Sequence, residues 1–258
     1  MAEMKLTKRN YFSKKANQIY MSCSQFKSME RCPASAMAEL KGKYKRETTT
    51  ALLIGSYIDS YFEGTMAKFM KDNPDIFKKD KTLKADFIQA NAIIERIERD
   101  KLFMSYLDGK KQVIMEGKIN GVPVKIKMDA LHPDKIVDLK IMKDFANIYT
   151  SERGSIPWFD AWGYDLQGAV YQEIYRQNTG KTLPFYIAAA TKEKVTDLDI
   201  IHFSQEMLDH ALDRFKRDVE TFDAIKKGII EPERCEKCDF CKETKVLTEP
   251  NEAEYYYF

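Results

Sequence analysis

Two carboxylates and one ammonium group fall on two short apolar runs that alternate as neighbouring strands do. Asp129 ends the first run, and the second carries Asp138-Leu139-Lys140. Carboxylate oxygens suit Mg²⁺, which keeps several waters and recruits substrate phosphate oxygens as further ligands. Lys140 could orient or help deprotonate a water and offset the negative charge of a phosphorane-like transition state. Alternatively, these are ordinary solvent-facing charges in a chain that is 32% charged.

An amide and a phenol stand four residues apart on the predicted helix that follows these strands. Gln167 and Tyr171 therefore share one helical face, with small Gly168 and Ala169 between them allowing close approach of backbone or substrate. Such a pair can hydrogen-bond a nucleic-acid backbone without reading its bases. The other interpretation is a partly buried helix edge in a chain rich in tyrosine.

The five cysteines argue for buried thiols or metal ligands. Their odd number and the absence of an export signal speak against a disulfide framework. Cys235, Cys238 and Cys241 have the spacing C-x₂-C-x₂-C, which lets three thiolates converge on zinc or an iron–sulfur cluster. The fourth ligand is missing locally, and Cys23 is expected to be a structural thiol.

Composition bounds the fold and the compartment. The chain has 258 residues, of which 44% are hydrophobic, enough for one core without disulfides, and this excludes disordered and fibrous classes. It contains no apolar run of the ~18 residues that a membrane span needs and no secretory leader. We expect a soluble, cytoplasmic protein that does not bind membranes.

The net charge of +2 hides an uneven distribution. Residues 1–46 carry 11 Lys and Arg against 3 Asp and Glu, so their net charge is +8 and that of the remainder is −6. Aromatic residues are interleaved with these basic ones, which favours phosphate contacts combined with base stacking. An ordinary solvated surface is the alternative.

Hydrophobic periodicity predicts a mainly helical first part and a sheet-containing second part. Helices are expected at 24–40, 50–62, 84–107, 158–178 and 205–227, with a solvated connection at 67–80 and glycines Gly180 and Gly228 ending the last two helices. Strands are expected at 111–119, 122–130, 136–141, 185–191 and 199–203, the first two joined through Asn120-Gly121 as a hairpin. The predicted class is α/β (α+β), a central mixed sheet flanked by helices, with the helical N-terminal part packed over the active-site cleft. We expect one domain over 1–258: a helical part (1–107), a catalytic core (108–228) and a cysteine-containing tail (229–258).

Four stretches of sequence carry a resemblance to a known family. They are Leu53-Ile54-Gly55-Ser56-Tyr57-Ile58-Asp59, Ile126-Lys127-Met128-Asp129, Val137-Asp138-Leu139-Lys140 and Trp162-Gly163-Tyr164-Asp165-Leu166-Gln167-Gly168-Ala169-Val170-Tyr171. Together they resemble the RecB-like branch of the PD-(D/E)xK nuclease superfamily, nearest to the phage and prophage exonucleases of the RecE, or exonuclease VIII, type. The resemblance extends from about residue 22 to 245.

The resemblance implies a restriction-endonuclease-like fold and a Mg²⁺- or Mn²⁺-dependent exodeoxyribonuclease. Such an enzyme degrades DNA from double-stranded ends, 5′ to 3′, and supplies a single-strand annealing protein in phage-type recombination, in some cases as a homo-oligomer. Asp129, Asp138 and the Leu139 carbonyl would hold the metal, and Lys140 would position the attacking water. Gln167 and Tyr171 would bind the scissile-strand backbone. By the same resemblance, Cys32 would join the three later cysteines around a [4Fe–4S] cluster, with Zn²⁺ as the alternative.

The sequence departs from the family pattern at one position. Where many RecB-like relatives have a metal-binding His, four residues after a glycine, this chain has Asp59 after Gly55. Aspartate is a harder but competent ligand for Mg²⁺ or Mn²⁺, so activity is compatible with it, while the metal preference is open. Two other functions also stay open: a degenerate nuclease-fold module that only binds DNA, and a nuclease acting on RNA or branched DNA.

Overall fold

The computed structural model describes residues 4–151 and 153–250, so the Tyr-rich end of the predicted tail lies outside the described residues. Its first part is helical, as predicted. The helices are α1 (Lys14–Ile19), α2 (Cys23–Arg31), α3 (Pro33–Lys41), α4 (Thr50–Phe62), α5 (Met66–Asp72), α6 (Ala85–Glu98) and α7 (Lys101–Leu107), with a 3₁₀ turn at Pro74–Ile76 between α5 and α6.

The second part supplies the sheet and the helices of its other face. In chain order these elements are β1 (Lys110–Ile119), β2 (Val122–Leu131), β3 (Ile136–Met142), β4 (Ile148–Thr150), β5 (Gly154–Ile156), α8 (Trp158–Ala161), α9 (Tyr164–Thr179), β6 (Phe185–Thr191), β7 (Leu198–His202), α10 (Gln205–Lys226) and α11 (Asp239–Glu243). Within the described residues, one sheet has the order β1-β2-β3-β6-β7, and β4 and β5 form a separate small hairpin. β3 and β6 run parallel while the other neighbours are antiparallel, so the predicted mixed sheet flanked by helices is confirmed.

Helices cover both faces of the central sheet. On one face, α2, α9 and α10 pack through side chains such as Phe26, Leu166 and Phe215. On the other, α4, α6 and α7 pack through Ile58 and Ile93 and their neighbours. With helices on both faces of the central strands, Lys125 and Asp138 are buried, and Lys127, Asp129 and Lys140 are half-buried. The interpretation of Asp129, Asp138 and Lys140 as ordinary solvent-facing charges therefore does not hold.

β2 and β3 separate soon after they pair. Their register joins Ala130 to Val137 and Leu131 to Ile136, whereas the other edge of β3 pairs with β6 over its whole length, from Ile136 to Met142. Met21 pairs with the edge of β2 that β3 leaves open. Its amide donates to the Pro123 carbonyl, and its carbonyl accepts a hydrogen bond from the Lys125 amide. The two strands therefore open a gap beside the sheet.

A buried lysine holds the N-terminal segment against this gap. Lys125 is 1% exposed, and its ammonium donates to the Tyr11 carbonyl and to Asn17 Oδ1, the latter at 2.6 Å. Burial lowers the pKa of Lys125 to about 8. Lys125 thus attaches the segment before α2 to β2 through two hydrogen bonds.

Several predicted helix boundaries are wrong because turn-forming residues interrupt the apolar pattern. The helix predicted at 24–40 is two helices, since Cys32 is extended and caps α3 through its thiol while Pro33 begins it. Its first cap is Ser22, one residue before α2. Asp100 likewise caps α7 and divides the helix predicted at 84–107.

Two further corrections concern the middle of the chain. The helix predicted at 158–178 is broken at Gly163, whose φ of 61° is left-handed. The stretch 67–80, predicted as a solvated connection, contains most of α5 and the 3₁₀ turn. The hairpin is confirmed, since Asn120 and Gly121 both have positive φ. The division into parts at 107 and 228 stays a prediction. No helix in the described ranges is long and apolar enough to cross a membrane.

Gly168 on α9 allows the helix backbone to lie directly against the sheet. A Cβ at this position would overlap the Phe185 ring of β6, whereas a Cβ at Gly55 on α4 would meet nothing within 4 Å. We therefore expect Gly168→Ala to lower the free energy of unfolding by about 1–3 kcal/mol. Gly55→Ala should leave it unchanged or raise it by up to ~1 kcal/mol through better helix propensity.

Urea unfolding of both variants against wild type measures the difference. Because Phe185 is fully buried, equal stability of the two alanine variants would show that α9 does not press on β6 as described.

Candidate active site

The predicted carboxylates and lysine meet at the gap between β2 and β3. Asp138 and Lys140, two residues apart on β3, share the face of the sheet that α9 covers, and Asp138 is 2% exposed. Asp129 directly precedes the residues of β2 that pair with β3 and, with Asp59 of α4 and Leu139, lines a cavity. The gap thus lets side chains from opposite faces of the sheet approach one another.

Asp129 is fixed by two hydrogen bonds. The Leu139 amide donates to its Oδ2 at 3.1 Å, in place of a strand partner, and Gln112 Nε2 donates to its Oδ1 at 3.2 Å. Burial, and then the charge of Asp138, raise the pKa of Asp129 well above its ordinary value. A carboxylate that is costly to ionise without a cation is suited to bind one.

Asp138 is held from two directions. Gln167 Nε2 of α9 donates to its Oδ1 at 2.6 Å, and the Lys140 ammonium forms an ion pair with its Oδ2. Burial opposes the charge of Lys140, but the Asp138 carboxylate, helped by Tyr164 and Asp129, outweighs it and raises the lysine pKa above its ordinary value. Lys140 therefore stays protonated, and its Nζ lies 4.9 Å from the centre of the Tyr164 ring.

Asp59 joins this group from α4. Burial, followed by the charges of Asp138 and Glu63, raises its pKa to about 7, although Lys140 partly opposes the shift. Glu63, one helical turn further on, forms a 3.8 Å ion pair with Lys127 of β2. Glu63 was not predicted as a site residue, although its four-residue spacing from Asp59 places both on one helical face.

The group has the composition of a divalent-cation site. Asp59, Glu63, Asp129 and Leu139 line a cavity of about 20 Å³, which has room for about one water-sized group. Four carboxylates, those of Asp59, Glu63, Asp129 and Asp138, lie at this gap, where Lys140 pairs with Asp138 and Lys127 pairs with Glu63. Hard oxygen donors with excess negative charge fit Mg²⁺ or Mn²⁺.

Gln167 and Tyr171 share one face of α9, as predicted, but both point into the protein. They are 7% and 8% exposed. Gln167 orients Asp138, and the Tyr171 hydroxyl donates to the Lys127 carbonyl at 3.0 Å. The small residue between them, Gly168, lies against the Phe185 ring of β6. Contact of this pair with a nucleic-acid backbone stays a prediction.

Lys27 brings the basic N-terminal segment to the site. Its Nζ lies 5.2 Å from the centre of the Tyr164 ring, which Lys140 also contacts, and donates to the Trp162 carbonyl at 3.1 Å. Burial, then repulsion from Lys140, lower the pKa of Lys27 to about 8. An ammonium poorly compensated by carboxylates is suited to meet a phosphate.

The predicted cysteine quartet is assembled. The Sγ atoms of Cys32, Cys235, Cys238 and Cys241 all lie within 4.8 Å of one another. Cys32 is 3% exposed and Cys241 fully buried, and backbone amides donate to two of the sulfurs. The backbone amides of Lys237 and Cys238 lower the pKa of Cys235 to about 6. Cys23 is buried apart from the quartet, in the main core.

Comparison with known proteins places this fold in one family. The family described as a PDDEXK-like domain of unknown function, DUF3799, matches residues 22–244. The chain belongs to this PDDEXK-like family, and the predicted PD-(D/E)xK resemblance is confirmed.

Among solved structures, one neighbour is very similar. The crystal structure of a candidate exonuclease from Eubacterium rectale is 46% identical in sequence, with a TM-score of 0.93, and the match covers 97% of each chain. The crystal structure of SSO0001 is 10% identical with a TM-score of 0.29, over 71% of this chain and 82% of that one. No curated protein matches the chain.

The raised pKa of Asp59 predicts how stability depends on pH without metal. The folded protein holds a proton on Asp59 up to about pH 7, which the unfolded chain releases near pH 4. The stabilisation from Asp59 is therefore complete below about pH 4 and is lost as the pH rises through 7. In EDTA, Asp59→Asn should exceed wild type in unfolding free energy by about 1–3 kcal/mol at pH 8 and match it near pH 4.

Urea unfolding between pH 4 and pH 8 measures this difference. Asp199→Asn, at an exposed position of β7, is the control and should follow wild type at every pH. A constant offset between Asp59→Asn and wild type over this range would contradict the assignment.

Proposed function

We propose that the protein is a Mg²⁺- or Mn²⁺-dependent nuclease that hydrolyses DNA phosphodiester bonds from double-stranded ends. The observation that carries this proposal is the meeting of Asp129, Asp138 and Lys140 at the gap between β2 and β3, with Asp59 beside them. The PDDEXK-like family and the likeness to a candidate exonuclease support it.

Each residue of the site would have a distinct role in hydrolysis. Asp129, Asp138, the Leu139 carbonyl and Asp59 would hold the cation, which when bound supplies Lewis acidity toward water and phosphate. Gln167 keeps Asp138 oriented. Because the pKa of Lys140 is raised, this lysine would act as a charged donor that orients the attacking water and offsets phosphate charge, rather than as a base.

The direction of action and the partners are further parts of the proposal. Digestion would run 5′ to 3′, and the remaining strand would pass to a single-strand annealing protein in phage-type recombination in the cytoplasm. The basic residues 1–46 would attract the DNA, and Lys27, beside the Tyr164 ring, would bring a positive charge to the site. A homo-oligomer would keep the enzyme on the DNA.

The size of the cysteine quartet favours one ion over a cluster. Four thiolates around one zinc, each at about 2.3 Å, lie about 3.8 Å apart. Here Cys241 Sγ lies 3.6 Å from Cys32 Sγ and 4.0 Å from Cys235 Sγ. In a [4Fe–4S] cluster each thiolate binds a different iron on the outside of a cube, so the sulfurs stand further apart. The quartet fits Zn²⁺ and would have to expand for the cluster that the family resemblance implies.

Digestion of end-labelled DNA tests the nuclease proposal. We expect wild type with Mg²⁺ or Mn²⁺ to degrade linear duplex DNA, to leave circular DNA intact and to be inactive in chelator. Asp138→Asn and Lys140→Ala should lower the rate on the order of 10²–10⁴-fold. Lys135→Ala, which alters a half-buried lysine paired with Asp134 in the turn before β3, is the matched control and should retain the wild-type rate.

The same experiment separates the alternatives. Binding of DNA by wild type without any cleavage would identify a degenerate binding module. Faster cleavage of RNA or of branched DNA than of linear duplex would reassign the substrate. Equal cleavage by wild type and both site variants would remove the catalytic assignment altogether.

Metal analysis tests the cysteine quartet. Protein purified anaerobically without added metal should contain zinc at about one ion per chain, without acid-labile sulfide. Cys241→Ser should lose the zinc, while Cys23→Ala, a buried cysteine outside the quartet, should retain it. Iron and sulfide in equal amounts, about four of each per chain, would show instead that the quartet opens to hold a [4Fe–4S] cluster.

A further inference from the structure

Gln112 has a backbone conformation that is unusual for its position in a strand. Its φ is 55°, in the left-handed region that favours glycine or asparagine. The residues on either side pair regularly with β2, Lys111 with Ala130 and Val113 with Met128, so Gln112 stands opposite Asp129. A local distortion is therefore placed directly beside a proposed metal ligand, where strain of this kind often accompanies function.

The side chain of Gln112 is buried, and only one of its two polar atoms has a hydrogen-bond partner among the described residues. It is 6% exposed, and its Nε2 donates to Asp129 Oδ1 at 3.2 Å. Its Oε1 is buried and has no hydrogen-bond partner among residues 4–151 and 153–250. A buried amide oxygen without a donor is costly, so this atom needs a donor from outside the described side chains.

The surroundings indicate what that donor is. Gln112 lines the same cavity of about 20 Å³ as Asp59, Glu63 and Asp129, and the cavity has room for one water molecule. Carboxylates supply no donor when they are ionised, whereas a water bound to a cation donates strongly. Lys111 also lines the cavity, but its ammonium donates to the Leu107 carbonyl.

We propose that Gln112 is a positioning residue for the cation site, in which Nε2 fixes Asp129 and Oε1 accepts a hydrogen bond from a water of the cation. The inference rests on the proposed cation site and adds to it a residue outside every motif of the family resemblance. The left-handed backbone is what turns this side chain toward Asp129. Partners of metal-binding carboxylates typically change metal affinity 10- to 100-fold when they are removed.

Mn²⁺ affinity and stability without metal, measured on the same variants, test this role. Gln112→Met keeps the side-chain length but neither donates nor accepts as an amide does, and Gln112→Gly relieves the left-handed strain. Titration calorimetry should show both binding Mn²⁺ about 10- to 100-fold more weakly than wild type. In EDTA, Gln112→Gly should melt at or above the wild-type temperature, because glycine accepts this backbone freely.

The control separates strain relief from the loss of the amide. Lys81→Gly relieves a similar conformation, with φ of 65°, in an exposed turn, and should bind Mn²⁺ as wild type does. Wild-type affinity in Gln112→Met and Gln112→Gly would overturn the inference and leave the cation site standing. Absence of Mn²⁺ binding by wild type would overturn the cation site, and the role of Gln112 with it.

Discussion

The separation of β2 from β3 is the constraint on which the rest of the site depends. An antiparallel pair that continued past Ala130 and Val137 would use the Leu139 amide in its own ladder. Because the strands part, that amide instead donates to Asp129, and Met21 pairs the exposed edge of β2. The carboxylates of two faces of one sheet can then meet through the opening, which a continuous sheet would not allow.

This arrangement places carboxylates close together where their ionised forms are unfavourable. Asp59, Asp129 and Asp138 come together away from water with the Lys140 ammonium paired to Asp138, and burial with the neighbouring carboxylates raises the pKa values of Asp59 and Asp129. The surrounding protein holds these groups where they would otherwise separate, through Gln167 on Asp138 and Gln112 on Asp129. A divalent cation relieves this repulsion, which is why the same geometry that destabilises the metal-free protein would serve phosphodiester hydrolysis.

Much of this architecture could be predicted from local patterns. Asn120-Gly121 specifies its hairpin because both positions need positive φ, and alternation on β3 correctly puts Asp138 and Lys140 on one face. The C-x₂-C-x₂-C spacing and the family resemblance named all four cysteines that assemble. These features depend on neighbours in sequence or on a motif, so a single chain is enough to reveal them.

The features that sequence did not predict depend on contacts between distant segments. Nothing around Gln112 in the sequence marks a left-handed residue in a strand, and the residue that its side chain contacts, Asp129, lies across the hairpin. Gln167 and Tyr171 were expected to face a ligand, but their spacing gives a shared face without saying that the face is turned inward. Pro33 favours a helix start, but the apolar spacing continues on both sides of it, so the sequence predicts one helix where the structure has α2 and α3.

Anomalous diffraction from crystals grown with Mn²⁺ tests the central claim most directly. The account predicts one peak at the gap between β2 and β3, within about 2.0–2.3 Å of oxygens from Asp129, Asp138 and Leu139. Asp59 should face the same ion, and the Lys140 ammonium should have left Asp138 Oδ2. A saturating Mn²⁺ concentration that leaves no peak there, with the Asp138–Lys140 ion pair intact, would contradict it.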